Sequence, residues 1–178
     1  IAPSRAPAGF VGKLRPYQAD GLGWLEFLRD FGFGGCLADD MGLGKTIQVL
    51  AFLEARRAAK PCNGADRGPS IIIVPRSLVF NWMREAAKFA PKLRVIDHSG
   101  PDRAREAPRF NPMDVILTTY GVLRRDIAVL REFDFDYAIL DEAQAIKNPD
   151  SESARAARLI RARRRLALTG TPIENRLT

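Results

Sequence analysis

The 178-residue sequence contains no apolar run long enough to cross a bilayer, so no membrane-spanning helix is read in it and no membrane partner is expected. Its first residues, Ile1-Ala-Pro-Ser-Arg5, are not a charged stretch followed by an apolar one, so no secretory leader is expected in them. Histidine occurs once, at His98, beside a loop and with no role assigned. Cysteine occurs twice, at Cys36 and Cys62, without metal-ligand spacing. Cys36 lies in an apolar segment and is expected in the core, and Cys62 falls in a Pro/Gly loop. So few cysteines suit a reducing compartment. Internal repeats, heptads and low-complexity segments are also absent.

What is present suits one domain with a sizeable core, since 46% of residues are hydrophobic. The formal net charge is +7, and 22 of the 28 basic residues are arginine. A basic balance fits a polyanionic partner such as DNA or RNA. It fits equally an arginine-rich codon bias in a GC-rich genome, which leans toward a bacterial source. The chain does not begin with Met, and it stops at Thr178 just after a Thr/Gly-rich motif. Both ends are therefore expected to be cuts within a longer protein.

Short apolar runs alternate with longer amphipathic ones, the pattern of βαβ units around a parallel sheet. Helices are expected over 16–29, 45–59, 77–89, from about 119 to 131, and over 151–162. Pro16 suits a first helical turn, and Asp150 or Ser151 suits an N-cap. Residues 32–38 are expected to lead into a short strand, and further strands are expected near 71–74, 93–97, 115–118, 137–140 and 166–168. The Ile71–Val74 run is continuously β-branched, as in a strand buried on both faces. Residues 60–69 and 100–112 are Pro-rich and read as loops, the second with room for a short helix.

The sharpest signal is Asp39-Asp40-Met41-Gly42-Leu43-Gly44-Lys45-Thr46, which follows a strand and opens a helix. That is the context a phosphate-binding loop requires. Gly42 and Gly44 permit torsions that turn successive N–H groups toward an anion, and the helix N-terminus adds its dipole. Lys45 can reach the β- and γ-phosphates, and the Thr46 hydroxyl can ligate Mg²⁺. Asp39 stands where the usual pattern has its first Gly. The alternative reading of Gly-Lys-Thr alone is an ordinary helix start.

A second signal is an apolar strand, 135–140, that ends in Asp141 and Glu142. In a phosphate-loop ATPase, a strand beside the phosphate-loop strand delivers an Asp to the Mg²⁺ shell. The following Glu orients and deprotonates the attacking water. Alone, the doublet reads as a solvated pair opening a loop.

With both halves in place, the chain resembles the SWI2/SNF2 group of superfamily 2 helicase-like ATPases, from Leu14 to the C-terminus. Six ordered segments carry the likeness. Leu14-Arg15-Pro16-Tyr17-Gln18 resembles the adenine-recognition motif, which implies that Arg15 and Gln18 face the base; the bland alternative for Gln18 is a polar residue in a first helical turn. Residues Asp40, Met41, Gly42, Leu43, Gly44, Lys45 and Thr46 resemble the first motif, with Asp40 where the family usually has Glu. Pro75, Arg76 and Ser77, with Asn81-Trp82 and Glu85 behind them, resemble a motif that touches a DNA phosphate. Leu78, Trp82 and Phe89 there read as packing. Thr118, Thr119 and Tyr120 resemble another backbone-contacting motif, or equally a helix cap. Asp141-Glu142-Ala143-Gln144 through Lys147-Asn148 resembles the acid motif, with Gln144 where many relatives carry His. Thr169-Gly170-Thr171-Pro172 resembles the segment that couples the ATP site to the DNA site.

The resemblance implies a RecA-like α/β lobe: a central, mostly parallel sheet with helices on both faces, over residues 14–178, with 1–13 as a lead-in. It implies ATP and Mg²⁺ as ligands, with Thr46 and Asp141 at the metal and Lys45, Asp141 and Glu142 as catalytic residues. It implies a double-stranded DNA backbone as partner, and a second RecA-like lobe in cis that supplies an arginine finger. The isolated lobe is then nearly inactive in hydrolysis, and the full protein translocates to remodel protein–DNA complexes whose protein client is open. The setting is the bacterial cytoplasm and nucleoid, or the nucleus in a eukaryote.

Two other classes compete: a nucleotide hydrolase with no nucleic-acid role, and a module that holds nucleotide without turnover. A GTPase would carry Asn-Lys-x-Asp, whereas the chain has Lys147-Asn148-Pro149-Asp150, the wrong order. A transporter-type ATPase would carry Ser-Gly-Gly, which is absent. The arginines at 155, 158, 161 and 163–165 are expected at a helix C-terminus, as a solvated face.

Overall fold

The computed structural model describes residues 1–38, 44–59, 68–101, 103 and 110–170. Among them helices and strands alternate: α1 (Pro16–Phe31), β1 (Gly35–Ala38), α2 (Lys45–Ala58), β2 (Ser70–Val74), α3 (Val79–Phe89), β3 (Val95–Asp97), β4 (Val115–Thr119), α4 (Tyr120–Leu130), β5 (Asp134–Leu140), α5 (Glu152–Leu159) and β6 (Arg161–Thr169). Short 3-10 turns at Arg76–Leu78 and Ala143–Ile146 follow β2 and β5.

Local chemistry sets several boundaries. Pro16 opens α1, and Gly32 closes it in the left-handed region at φ 76°. The Gly32 N–H bonds the Arg29 carbonyl and the Phe33 N–H bonds that of Leu28, a Schellman ending. Thr119 and Ser151 cap α4 and α5, each hydroxyl accepting an N–H three residues on.

The six strands form one sheet in the order β1-β6-β5-β2-β4-β3, and every pairing is parallel. All strands therefore end on the same edge. β2 is buried throughout. Its Ile72 and Val74 face a cluster with Leu22, Leu50 and Trp82, under α1, α2 and α3. Its Ile71 and Ile73 face Leu123 and Ala157, under α4 and α5. Each such side chain contributes about 1.5–3 kcal/mol of burial. The two faces together make the α/β layering of a RecA-like lobe.

Three expectations need correction. The acid-bearing strand β5 does not sit beside the phosphate-loop strand β1; β6 lies between them, pairing with both. Cys36 is exposed rather than in the core, because β1 is an edge strand with a neighbour on one side only. Arg161 and Arg163–Arg165 do not end a helix. α5 stops at Leu159, and these residues form the first half of β6, paired with β5 from Asp134↔Arg161 onward. That half extends past β1, so its polar side chains stay partly solvated. Arg165 still serves the end of α5, donating to the carbonyls of Ala157 at 2.7 Å and Ile160. Much of the two predicted loops lies outside the described residues, Cys62 included.

The edge opposite the strand ends holds a buried ion pair. Arg56 of α2 donates from Nε to Asp136 of β5 at 2.7 Å, and both residues are buried. The same guanidinium lies 4.8 Å from the Tyr137 ring centroid. Removing one partner leaves the other charge buried. Asp136→Ala is expected to lower the unfolding free energy by about 3 kcal/mol. A urea melt checks this, and a loss of well under about 1 kcal/mol would mean that the pair does not hold α2 to the sheet.

Candidate active site

The site begins where β1 hands over to α2. Asp40, Met41, Gly42 and Leu43 lie outside the described residues. Gly44 is described, and its φ of 78° puts it in the left-handed region. A side chain there would also collide with its neighbour, since a Cβ would sit 2.5 Å from Gln18 Nε2. Gln18, the expected adenine reader, thus lies directly against the end of the phosphate loop. It is buried, and its Oε1 accepts the Arg15 N–H at 2.9 Å, so it also fastens the start of α1. Arg15 itself is exposed. α2 then starts at Lys45, and its first N–H groups and dipole point toward the strand-end edge.

The second half comes from β5. The Asp141 N–H bonds the Ile73 carbonyl at 2.8 Å, which extends the β2–β5 ladder to the acid itself. Asp141 Oδ1 accepts the Glu142 N–H at 2.9 Å, and Oδ2 accepts the Trp82 indole N–H at 2.8 Å. The Tyr120 hydroxyl donates to the Asp141 carbonyl at 2.6 Å. Burial pushes the Asp141 carboxyl above its usual range, opposed by the bonds from Trp82 and Glu142 and by the Lys45 charge. Burial likewise pushes the Tyr120 phenol up. Glu142 has φ 48°, the one positive φ outside glycine among the described residues. Holding a side chain there costs about 1–2 kcal/mol, and such conformations cluster at functional positions.

These groups share one cleft. Gly44, Lys45 and Thr46 line one wall and Trp82, Asp141 and Glu142 the other, around about 240 Å³. β6 lies between the strands that lead to the two walls.

β6 also brings its own end to the site. The Thr169 hydroxyl donates to Gln144 Oε1 at 3.0 Å, and Gln144 Nε2 donates to Glu142 Oε2. The two segments expected to couple the sites are therefore joined by a hydrogen-bond chain that ends on Glu142. Gly170 follows Thr169 at the strand end, and Thr171 lies outside the described residues.

The expected DNA-facing residues divide into two groups. Pro75, Arg76 and Ser77 form the turn after β2, with Arg76 and Ser77 exposed at the strand-end edge. Thr118, Thr119 and Tyr120 do not present their side chains outward in this conformation. Thr118 is buried and donates to the His98 carbonyl at 2.8 Å, Thr119 caps α4, and Tyr120 reaches Asp141. Hydroxyls at a strand end satisfy nearby backbone groups first. Leu78 and Phe89 pack on the core as expected. Trp82 packs there too, but its bond to Asp141 is a second role that packing alone did not suggest. A buried indole N–H needs an acceptor, and that requirement was the available signal.

No helix among the described residues is long and apolar enough to cross a membrane. Residues 17–178 match the SNF2-related domain. The chain is 47% identical over 95% of its length to a Bacillus subtilis protein named as an ATP-dependent helicase/translocase, YwqA, of which it spans 18%. It is 40% identical over 97% of its length to the TATA-binding protein-associated factor MOT1 of Saccharomyces cerevisiae, of which it spans 10%. Its fold matches the Sulfolobus solfataricus SWI2/SNF2 ATPase core in complex with double-stranded DNA. There the TM-score is 0.85 and the identity 41%, over 99% of this chain and 35% of that one. From its sheet to its motifs, the chain belongs to the SNF2-related domain family.

Proposed function

We propose that residues 14–178 are the first, ATP-binding RecA-like lobe of a DNA-dependent ATPase, with 1–13 as a lead-in. In the full protein a second RecA-like lobe in cis completes the machine, which translocates on double-stranded DNA and displaces or remodels what is bound there. The observation that carries the reading is the shared cleft of Lys45, Thr46, Asp141 and Glu142. Similarity to a SWI2/SNF2 core in complex with double-stranded DNA supports the choice of partner. Such a protein works at the nucleoid of a bacterium or in a eukaryotic nucleus.

Each side chain then has a role. The N–H groups at the start of α2 and the Lys45 ammonium hold the β- and γ-phosphates, and Gln18 with Arg15 reads the adenine. The residues fit Mg²⁺. One buried carboxylate and one hydroxyl, from Asp141 and Thr46, are what this cation takes when phosphates and waters complete its shell. When bound, the cation neutralises charge on the phosphates. Glu142, poised by its strained backbone, orients the attacking water and accepts its proton. Gln144 and Thr169 sense the γ-phosphate through their bond to Glu142. Arg76 and Ser77 hold a DNA phosphate, so binding is independent of sequence and weakens with salt. An arginine from the second lobe is needed to stabilise the transferring phosphoryl group, so this chain alone turns over ATP very slowly.

Duplex DNA is expected to stimulate ATP hydrolysis by the full-length protein. In it, Lys45→Ala abolishes turnover. Glu142→Gln lowers kcat at least 10²-fold while nucleotide still binds. Either variant turning over ATP at the wild-type rate would remove the assigned role. Thr169→Val breaks the chain to Glu142, so it is expected to reduce stimulation by DNA while leaving ATP affinity within about twofold. Equal stimulation in the variant and the wild type would show that this chain carries no signal. Hydrolysis that ignores DNA in the wild type would favour a nucleotide hydrolase without a nucleic-acid role.

A further inference from the structure

Trp82 sits in the first turn of α3, directly behind the exposed Arg76–Ser77 turn. It is 2% exposed, and its ring is part of the cluster under α1, α2 and α3. From there its N–H reaches across to Asp141 Oδ2 at 2.8 Å, while Oδ1 takes the Glu142 N–H. A carboxylate has about four acceptor positions. With one N–H on each oxygen, its plane and rotation are held and a lone pair on each oxygen stays available. The indole is rigid and packed, so it transmits the position of α3 to the acid. A donor of this kind orients a metal-binding carboxylate without touching the metal.

We propose that Trp82 is a positioning residue for the Mg²⁺-binding acid, and that it ties the carboxylate of Asp141 to the helix that starts at the DNA-facing turn. The proposal rests on the reading of the cleft as an ATP·Mg²⁺ site. It adds that α3 is part of that site, with the Trp82 indole N–H as the contact.

The test is made in the full-length protein, with a fluorescent ATP analogue whose binding is followed as Mg²⁺ is titrated. Two replacements are compared with the wild type: Trp82→Phe, and 3-benzothienylalanine at position 82, which exchanges the N–H for sulfur at nearly constant shape. In both, the Mg²⁺ concentration for half-maximal tightening is expected to rise about tenfold. Binding of the analogue without Mg²⁺ is expected to stay within twofold. If Trp82→Phe does not fold, the benzothienyl protein decides the matter alone. An unchanged Mg²⁺ requirement would overturn the proposal. So would a lower requirement, which would make the indole a competitor of the cation. Equal weakening with and without Mg²⁺ would also overturn it, because a purely structural role predicts that. A wild-type protein that does not bind the analogue at any Mg²⁺ concentration would instead refute the ATP-site reading beneath it.

Discussion

Parallel pairing is the constraint on which the site depends. Every strand from β1 to β6 runs the same way, so the C-terminal ends of β1, β2, β4, β5 and β6 all lie at one edge. Residues far apart in sequence, such as Lys45, Thr118, Asp141 and Thr169, become neighbours along a row of strand ends. The Asp141 wall is backed by β5, which is buried from Phe135 to Leu140. The ladder even extends beyond β5, through the Asp141 N–H to Ile73, so the acid is fixed by main-chain bonding as well as by its side chain.

Asp141 is where the segments of this edge meet. α3 reaches it through Trp82, α4 through Tyr120, and its own chain through Glu142. Thr169 and Gln144 close on the adjacent Glu142. The buried Asp141 carboxylate, with one N–H on each oxygen, is held in one orientation, while the Asp141 main-chain carbonyl takes the Tyr120 hydroxyl. The arrangement puts α3 and α4 each within one hydrogen bond of Asp141. On the proposed reading, coupling needs no long relay, because the Arg76–Ser77 turn and Asp141 follow neighbouring strands, β2 and β5.

Much of this was legible in the sequence. The Ile71–Val74 run announced a strand buried on both faces, and the Gly-Lys-Thr opening of α2 and the acid pair after β5 stand at the expected edge. Where the reading missed, tertiary pairing had overridden local composition. Arg161 to Arg165 have the charge of a helix end, yet the ladder with β5 makes them a strand. Cys36 sits in an apolar segment, yet its strand lies at the sheet edge, and edge position is a property of sheet order. Thr118, Thr119 and Tyr120 look free to grip a phosphate, but the fold brings the His98 carbonyl, the Val122 N–H and the Asp141 carbonyl to them. The Trp82 bond was the least legible, because its two partners are far apart in sequence and belong to different motifs.

The most direct measurement is a crystal structure of the full-length protein with Mg²⁺ and a non-hydrolysable ATP analogue. The account predicts the γ-phosphate against the Lys45 ammonium, and the cation between the Thr46 hydroxyl and the Asp141 carboxylate, directly or through one water. It also predicts the adenine beside Gln18. A nucleotide bound elsewhere, or a cation out of reach of both Thr46 and Asp141, would contradict it.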